Sequence, residues 1–260
     1  MHPLILAVTL SIGGITVETD SGRIGDVGSD PVVHKEQQSY RFDPKGSVEV
    51  SRMAGSVKVV AGAVDRVSFT YERKAATQQD HDCEVLKHEH SDRSLRIWLE
   101  RKPDKACQLV RAVDLLTVTV PKGASVALSN IGDSASISGV EGMLRLESIG
   151  DAAVLDGVQQ LQASSIGDSL KLAVTQVGAG GIRVDSVGDS VELSLPEQID
   201  AELLIDSVDD EIRGPGLRVE SPARYEATLG DGGRTIRISS VGDSVVIRGK
   251  ALVGAQRIGD

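Results

Sequence analysis

A four-residue phrase, Ser-(Ile/Val)-Gly-Asp, returns through the second half of this 260-residue chain and limits its fold more than any other feature. It centres on Ile131 (with Asn130 for the Ser), Ile149, Ile166, Val187 and Val241. A variant at Val208 has Asp209 for the Gly, and a partial copy reads Ile258-Gly259-Asp260. With the Ile or Val as position zero, the flanks align as well. Position −5 reads Val126, Leu144, Leu161, Ile182, Leu203 and Ile236. Position −3 reads Leu128, Leu146, Ala163, Val184, Ile205 and Ile238, and position +4 reads Ala135, Ala153, Leu170, Val191, Ile212 and Val245. Arg23-Ile24-Gly25-Asp26 shares the tripeptide but has Thr19, Ser21 and Gly28 at those flanks, so it is not counted as a copy.

The pattern is strand, corner, strand. Positions −5 and −3 share one face of an extended segment, because side chains alternate with period two. Gly132, Gly150, Gly167, Gly188 and Gly242 are expected at corners, where Gly opens backbone angles closed to other residues and Asp bonds nearby amides. A unit of about 20 residues cannot bury its apolar face alone and stacks on its neighbours. The expectation is an all-β chain, a single-stranded β-solenoid. Spacings of 18, 17, 21, 21, 33 and 17 residues between zero positions are too irregular for a strict hexapeptide coil. No window has sustained helical periodicity, and Gly-Gly-x-Gly-x-Asp calcium repeats are absent.

Four regions are expected. Residues 1–20 read as a secretory signal or as a plain N-terminal strand: Leu4–Leu10 is apolar and Ser11 and Gly13 are small, but no Lys or Arg precedes them. Residues 21–39 read as a linker. Residues 40–128 read as a β-rich entry region, with Gly46-Ser47-Val48 and Gly55-Ser56-Val57 opening two short strands, and 129–260 as the Gly-Asp solenoid. Cys83 and Cys107 either bridge an 83–101 hairpin or remain two thiols. A bridge there would stabilise by roughly 3 kcal/mol.

Composition narrows the partners. The net charge is −10, and residues 129–260 carry all of it, with 11 basic and 21 acidic residues, which argues against nucleic acid. No apolar run reaches the roughly 20 residues of a transmembrane span. Only six residues are aromatic, which suits stacked aliphatic strands better than a carved pocket.

Successive Gly-Asp coils, the Leu115-Leu116-Thr117-Val118-Thr119-Val120-Pro121 strand and the closing Leu229-Gly230-Asp231-Gly232 segment resemble the bacterial putative-adhesin family of β-strand repeats. The resemblance covers about residues 40–250 and implies a right-handed, irregular β-helix, exported or attached to the envelope. It brings no catalytic residues.

Each chemical signal has a plainer counterpart. Gly167-Asp168-Ser169-Leu170 spells an esterase nucleophile block, but the phrase recurs at Ser134, Ser190 and Ser244 and no His follows His90. His81, Cys83, His88 and His90 have zinc chemistry, against a solvated strand edge. Asp133, Asp151, Asp168, Asp189, Asp210 and Asp243 would stack at one corner roughly 4.8 Å apart, as capping or solvated carboxylates or as a calcium ladder. A polysaccharide-active enzyme would need aromatic faces, and the repeats offer only Tyr225. The reading is a non-catalytic, exported protein without a cofactor, in the periplasm, at the cell surface or secreted, presenting an acidic interaction surface to a protein or surface ligand. The alternative is an envelope-associated regulatory partner. Exposed edges at the stack ends also predict self-association.

Overall fold

The computed structural model describes residues 27, 30–104, 107, 109–221 and 223–249. The proposed signal at 1–20 and the partial repeat at Ile258 lie outside the described residues. The first strands are β1 (Val32–Arg41), β2 (Ser47–Met53), β3 (Ser56–Gly62) and β4 (Arg66–Ala75). The short helix α1 (Gln78–Asp82) precedes β5 (Glu84–His90), β6 (Ser94–Arg101) and β7 (Ala112–Pro121). The repeats follow as β8 (Ser125–Ile131), β9 (Ala135–Ser138), β10 (Leu144–Ile149), β11 (Ala153–Val158), β12 (Leu161–Ala163) and β13 (Leu170–Val174). Then come β14 (Ile182–Val184), β15 (Val191–Leu195), β16 (Ala201–Val208), β17 (Glu211–Gly214) and β18 (Leu217–Glu220). The last are β19 (Ala223–Leu229), β20 (Thr235–Ile238) and β21 (Val245–Gly249). β1 thus begins inside the segment read as a linker and pairs with β4 along its whole length.

The chain is all-β, in two large mixed sheets. One has the order β1-β4-β7-β3-β9-β11-β13-β15-β21-β17-β18, the other β19-β16-β20-β14-β12-β10-β8-β2-β6-β5. The middle of each is parallel, and each repeat gives one strand to each sheet. The ends are antiparallel: β1–β4–β7 and β5–β6 at one end, β17–β18 and β16–β19 at the other. The expected single-stranded solenoid is therefore not shown: the strands form two mixed sheets, not a closed coil, and antiparallel partners flank the parallel strands at both ends, β5–β6 and β17–β18 as hairpins of consecutive strands.

The register follows the frame set by position zero. Val126 pairs with Leu144, Leu144 with Leu161 and Leu161 with Ile182, so the −5 residues form an inward column. The +4 residues do the same in the other sheet, Ala135 beside Ala153, Leu170 and Val191. Both columns belong to one contiguous core. Its side chains are 0–7% exposed, so each rung buries its apolar face against its neighbours.

Two features escape the linear reading. Met53 sits in the zero column beside Ile131, so β2–β3 is a rung in the same frame, with Val48 and Val50 inward and Ala54-Gly55 where later rungs have Gly-Asp. The 33-residue gap is a crossover. β16–β17 leaves one rung position open, and β20–β21 returns to fill it between β14–β15 and β16–β17.

Candidate functional site

The corner column is the most regular polar feature. The zero residues bridge in the spatial order Ile149, Ile166, Val187, Val241 and Val208. The Asp residues follow that order, so Asp243 lies between Asp189 and Asp210. Each Asp amide donates to the carbonyl of the one before: Asp151 to Asp133 (3.3 Å), Asp168 to Asp151 (3.2 Å) and Asp189 to Asp168 (2.9 Å). The series continues from Asp243 to Asp189 (3.0 Å) and from Asp210 to Asp243 (2.9 Å). The corner backbone is thereby satisfied by its own ladder.

The glycines serve close approach more than unusual torsion. None of Gly132, Gly150, Gly167, Gly188 and Gly242 has a positive φ; that conformation falls on Arg52, Asn130 and Ser148, just before the zero residue in the first three corners. A Cβ on Gly150 would stand 2.3 Å from the Gly132 carbonyl oxygen, and one on Gly188 would stand 2.0 Å from that of Gly167. The expectation that Gly was needed for backbone angles is corrected: stacked corners leave no room for a side chain. At the outermost corner Asp209 stands in that place, its amide still bonded to Val241 O at 3.1 Å.

Asp133 and Asp151 are half-buried, and Asp168, Asp189, Asp210 and Asp243 are exposed. Burial, then the neighbouring Asp133 and Asp168 carboxylates, push the Asp151 carboxyl above its usual range. Ser56 Oγ donates to Asp133 Oδ2 at 2.6 Å, and Ser244 Oγ to Asp243 Oδ2 at 3.2 Å. Ser169 is one more half-buried residue of this column, and the described histidines all lie on β1, α1 and β5.

The zinc candidates separate. Cys83 Sγ is bonded to Cys107 Sγ, with the Cα atoms 5.3 Å apart. His81 meets the His34 ring edge-on at 5.4 Å. His88 Nε2 lies 2.8 Å from Tyr40 Oη, and His90 stacks on Tyr40 at 3.8 Å. Among the described residues no group of three or more His, Cys, Asp or Glu is placed to hold a metal ion.

Sequence reasoning missed a buried charge cluster beside this disulfide. Arg73, 1% exposed, donates from Nη1 to Asp114 Oδ1 (2.8 Å) and Oδ2 (3.0 Å). Its Nη2 donates to Glu84 Oε2 at 2.9 Å and to the Asp80 carbonyl at 3.2 Å. Tyr71 Oη also donates to Asp114, and Arg101 Nε to Glu84 Oε1 at 2.8 Å. Burial pushes the Asp114 carboxyl up, with Arg73 pulling it back. On Arg73 burial acts downward but Asp114, Tyr71 and Glu84 outweigh it, and the guanidinium stays charged. The cluster ties β4 and β7 of one sheet to β5 of the other. A signal existed: Arg73 continues the inward phase of Val67, Phe69 and Tyr71, and Asp114 that of Leu116, Val118 and Val120.

An open cleft of ≈ 740 Å³ lies where the 62–66 and 121–123 turns meet the outer ends of β1, β4 and β7. The repeats expose no aromatic face, since Tyr225 is 2% exposed. No helix among the described residues is long and apolar enough to cross a membrane.

No family model matches the chain, and no curated protein matches it. Solved structures do. One named a putative cell adhesion protein, from Clostridium sporogenes, is 11% identical, with a TM-score of 0.46 over 85% of this chain and 100% of its own. A putative adhesin from Bacteroides fragilis is 12% identical, with a TM-score of 0.28 over 83% of this chain and 97% of its own. A structure from Parabacteroides distasonis named a putative lipid binding protein is 9% identical, with a TM-score of 0.27 over 82% and 96%.

Proposed function

We propose that the chain is a non-catalytic binding module of the bacterial cell envelope, exported and adhesin-like. Its rungs act as coils of an irregular, right-handed β-helix presenting a long acidic surface. One observation carries this reading: the recurring Ser-(Ile/Val)-Gly-Asp corners stack on one another through a backbone ladder, which gives the phrase a structural cause at every rung. A Ser without a base is a weak nucleophile, and the described histidines lie on β1, α1 and β5, outside the repeats. The Cys83–Cys107 bond supports export, because such bonds persist in oxidising compartments. The Asp column would carry cations only as loosely held counter-ions.

The test is removal of one rung in register. Deleting residues 150–166 joins Ile149 to Gly167 and keeps the frame. The variant should still melt cooperatively as a β-protein and should bind isolated host envelopes more weakly than the parent. Equal binding by both proteins, or none by the parent, would end the proposal. In the second case the regulatory-partner reading takes over, and cross-linking in the host should then trap one protein.

A further inference from the structure

The outer face of the first sheet changes character at its N-terminal end. Pairing registers place Arg41 beside Arg66, and Ser39 beside Ser68, which faces Thr119. The row continues past Thr119 to Val60 and Ser138. The next row reads Gln37, Thr70, Thr117, Lys58 and Ser136. A third row sets Lys35 beside Glu72 and Leu115. The outward positions of β1, β4, β7 and β3 thus carry Lys35, Arg41, Lys58, Arg66 and Lys74 against a single carboxylate, Glu72, in a chain whose net charge is −10.

Glu72 is shared by Lys35 (2.8 Å) and Lys74 (3.1 Å). Arg41, Lys58 and Arg66 have no ion-pair partner among the described residues, and Arg66 reaches only Ser39, from Nε to Oγ at 3.1 Å. The outer face of the other sheet is different. There Arg96 pairs with Glu49, Arg183 with Asp185 and Arg237 with Asp206. The cleft opens onto the cationic face, bringing Ser39, Ser68, Thr119 and Arg66 to one concavity with Val64, the Asp65 carboxylate and Lys122, which pairs with Glu141 at 4.0 Å.

We infer that this face binds an anionic polysaccharide, one whose sugars carry carboxylate or sulfate groups. Unpaired guanidinium and ammonium groups supply charge-assisted bonds to the anions. Ser39, Ser68 and Thr119 in one row and Thr70 and Thr117 in the next, on adjacent strands roughly 4.8 Å apart, both donate to and accept from sugar hydroxyls. An acidic strip on a second copy would answer the cations but leave those hydroxyl rows without a complement. A lipid surface would call for one contiguous apolar wedge, and the exposed apolar residues of this face are set apart: Lys74 and Glu72 of β4 stand between Val33 and Leu115, and Val64 lies at the cleft. The acidic corner column repels such a polymer, so contact is confined to this end of the molecule. The inference rests on the binding-module reading and adds to it a second surface of opposite charge.

The experiment uses the full, oxidised chain and measures binding of polygalacturonate, sulfated dextran and neutral dextran by calorimetry at low and moderate salt. The parent should bind one or both anionic polymers and not neutral dextran, with affinity falling as salt rises. The triple variant Arg41→Gln, Lys58→Gln, Arg66→Gln, at two exposed positions and one half-buried one, should melt like the parent and lose about tenfold or more in affinity. No binding by the parent, or equal binding by the variant, overturns the inference. So does sedimentation showing self-association that the variant abolishes while neither anionic polymer binds. The rung-deleted variant separates the two readings: if it loses envelope binding while the triple variant keeps it, the module stands and this surface does not.

Discussion

The parallel rungs and the antiparallel N-terminal end solve one problem in opposite ways. A middle rung has a copy of itself on each side, so Val, Ile and Leu columns in register fill the space with no large side chain. The end rung has a neighbour on one side only. There the chain turns antiparallel and plugs the stack with Phe42, Phe69 and Tyr71, all buried, and adds a buried ion cluster and a disulfide. The far end does the same on a smaller scale with Tyr225 on β19. Repetition makes stability from many equal, small contributions; termination needs a few specific ones. Single substitutions should therefore cost more at the N-terminal end than in the rungs.

The largest expected effect is at Asp114. Asp114→Ala leaves the Arg73 charge buried without its main partner and should cost about 3–5 kcal/mol in urea unfolding. Replacing the pair together, Arg73→Met with Asp114→Leu, should recover much of that loss. A single substitution that costs no more than a rung mutation would break the comparison. Reduction of Cys83–Cys107, or Cys83→Ser with Cys107→Ser, releases a loop with a sequence separation of 24 and should cost roughly 3 kcal/mol. The melting temperature with and without reductant reads this directly, and no shift would remove the disulfide from the account of the end.

Next comes Gly167→Ala, whose Cβ would lie 2.2 Å from the Gly150 carbonyl oxygen. The rungs must part to admit it, at about 2 kcal/mol, while Gly62→Ala, with its nearest contact at 3.8 Å, should be close to neutral. Equal costs at the two sites would show that corner contact is not what selects Gly.

The smallest effect sharpens the electrostatic side. Asp151 has a folded pKa above its ordinary value, so the folded state holds that proton more tightly than the unfolded chain. Its contribution is fully stabilising below the unfolded pKa and is lost as pH rises through the folded pKa. At neutral pH, Asp151→Asn should raise stability by under about 1 kcal/mol, less so at high salt, and the gain should vanish in acid. A destabilised variant at neutral pH would mean that the carboxylate caps the corner more than it suffers from its neighbours.

Much of this was legible in the residues. Position-zero alignment placed the −5, −3, zero and +4 residues of the repeats on the inward face, because a period-two strand leaves each apolar residue one face to occupy, but it did not reach Tyr225 or Leu229 of β19. The Gly-Asp corners, the carboxylate stack and the cysteine alternatives were visible for the same local reason. The order of the last two rungs was not, since nothing in the frame of Val208 or Val241 says which stacks on Val187. Nor was the pairing of Arg73 with Asp114, 41 residues apart. The cationic face stayed hidden because residues 1–128 balance in sum. Glu49 pairs on the other sheet and Glu84 and Asp114 are buried, leaving Arg41, Lys58 and Arg66 together on a surface whose carboxylates are Glu72, held by Lys35 and Lys74, and Asp65 at the cleft. Sequence alone determined the strand frame and the corner chemistry, which depend on neighbours a few residues away. Only the tertiary structure decided the rung order, the closed ends and the separation of charge between faces, because those depend on which distant strands meet.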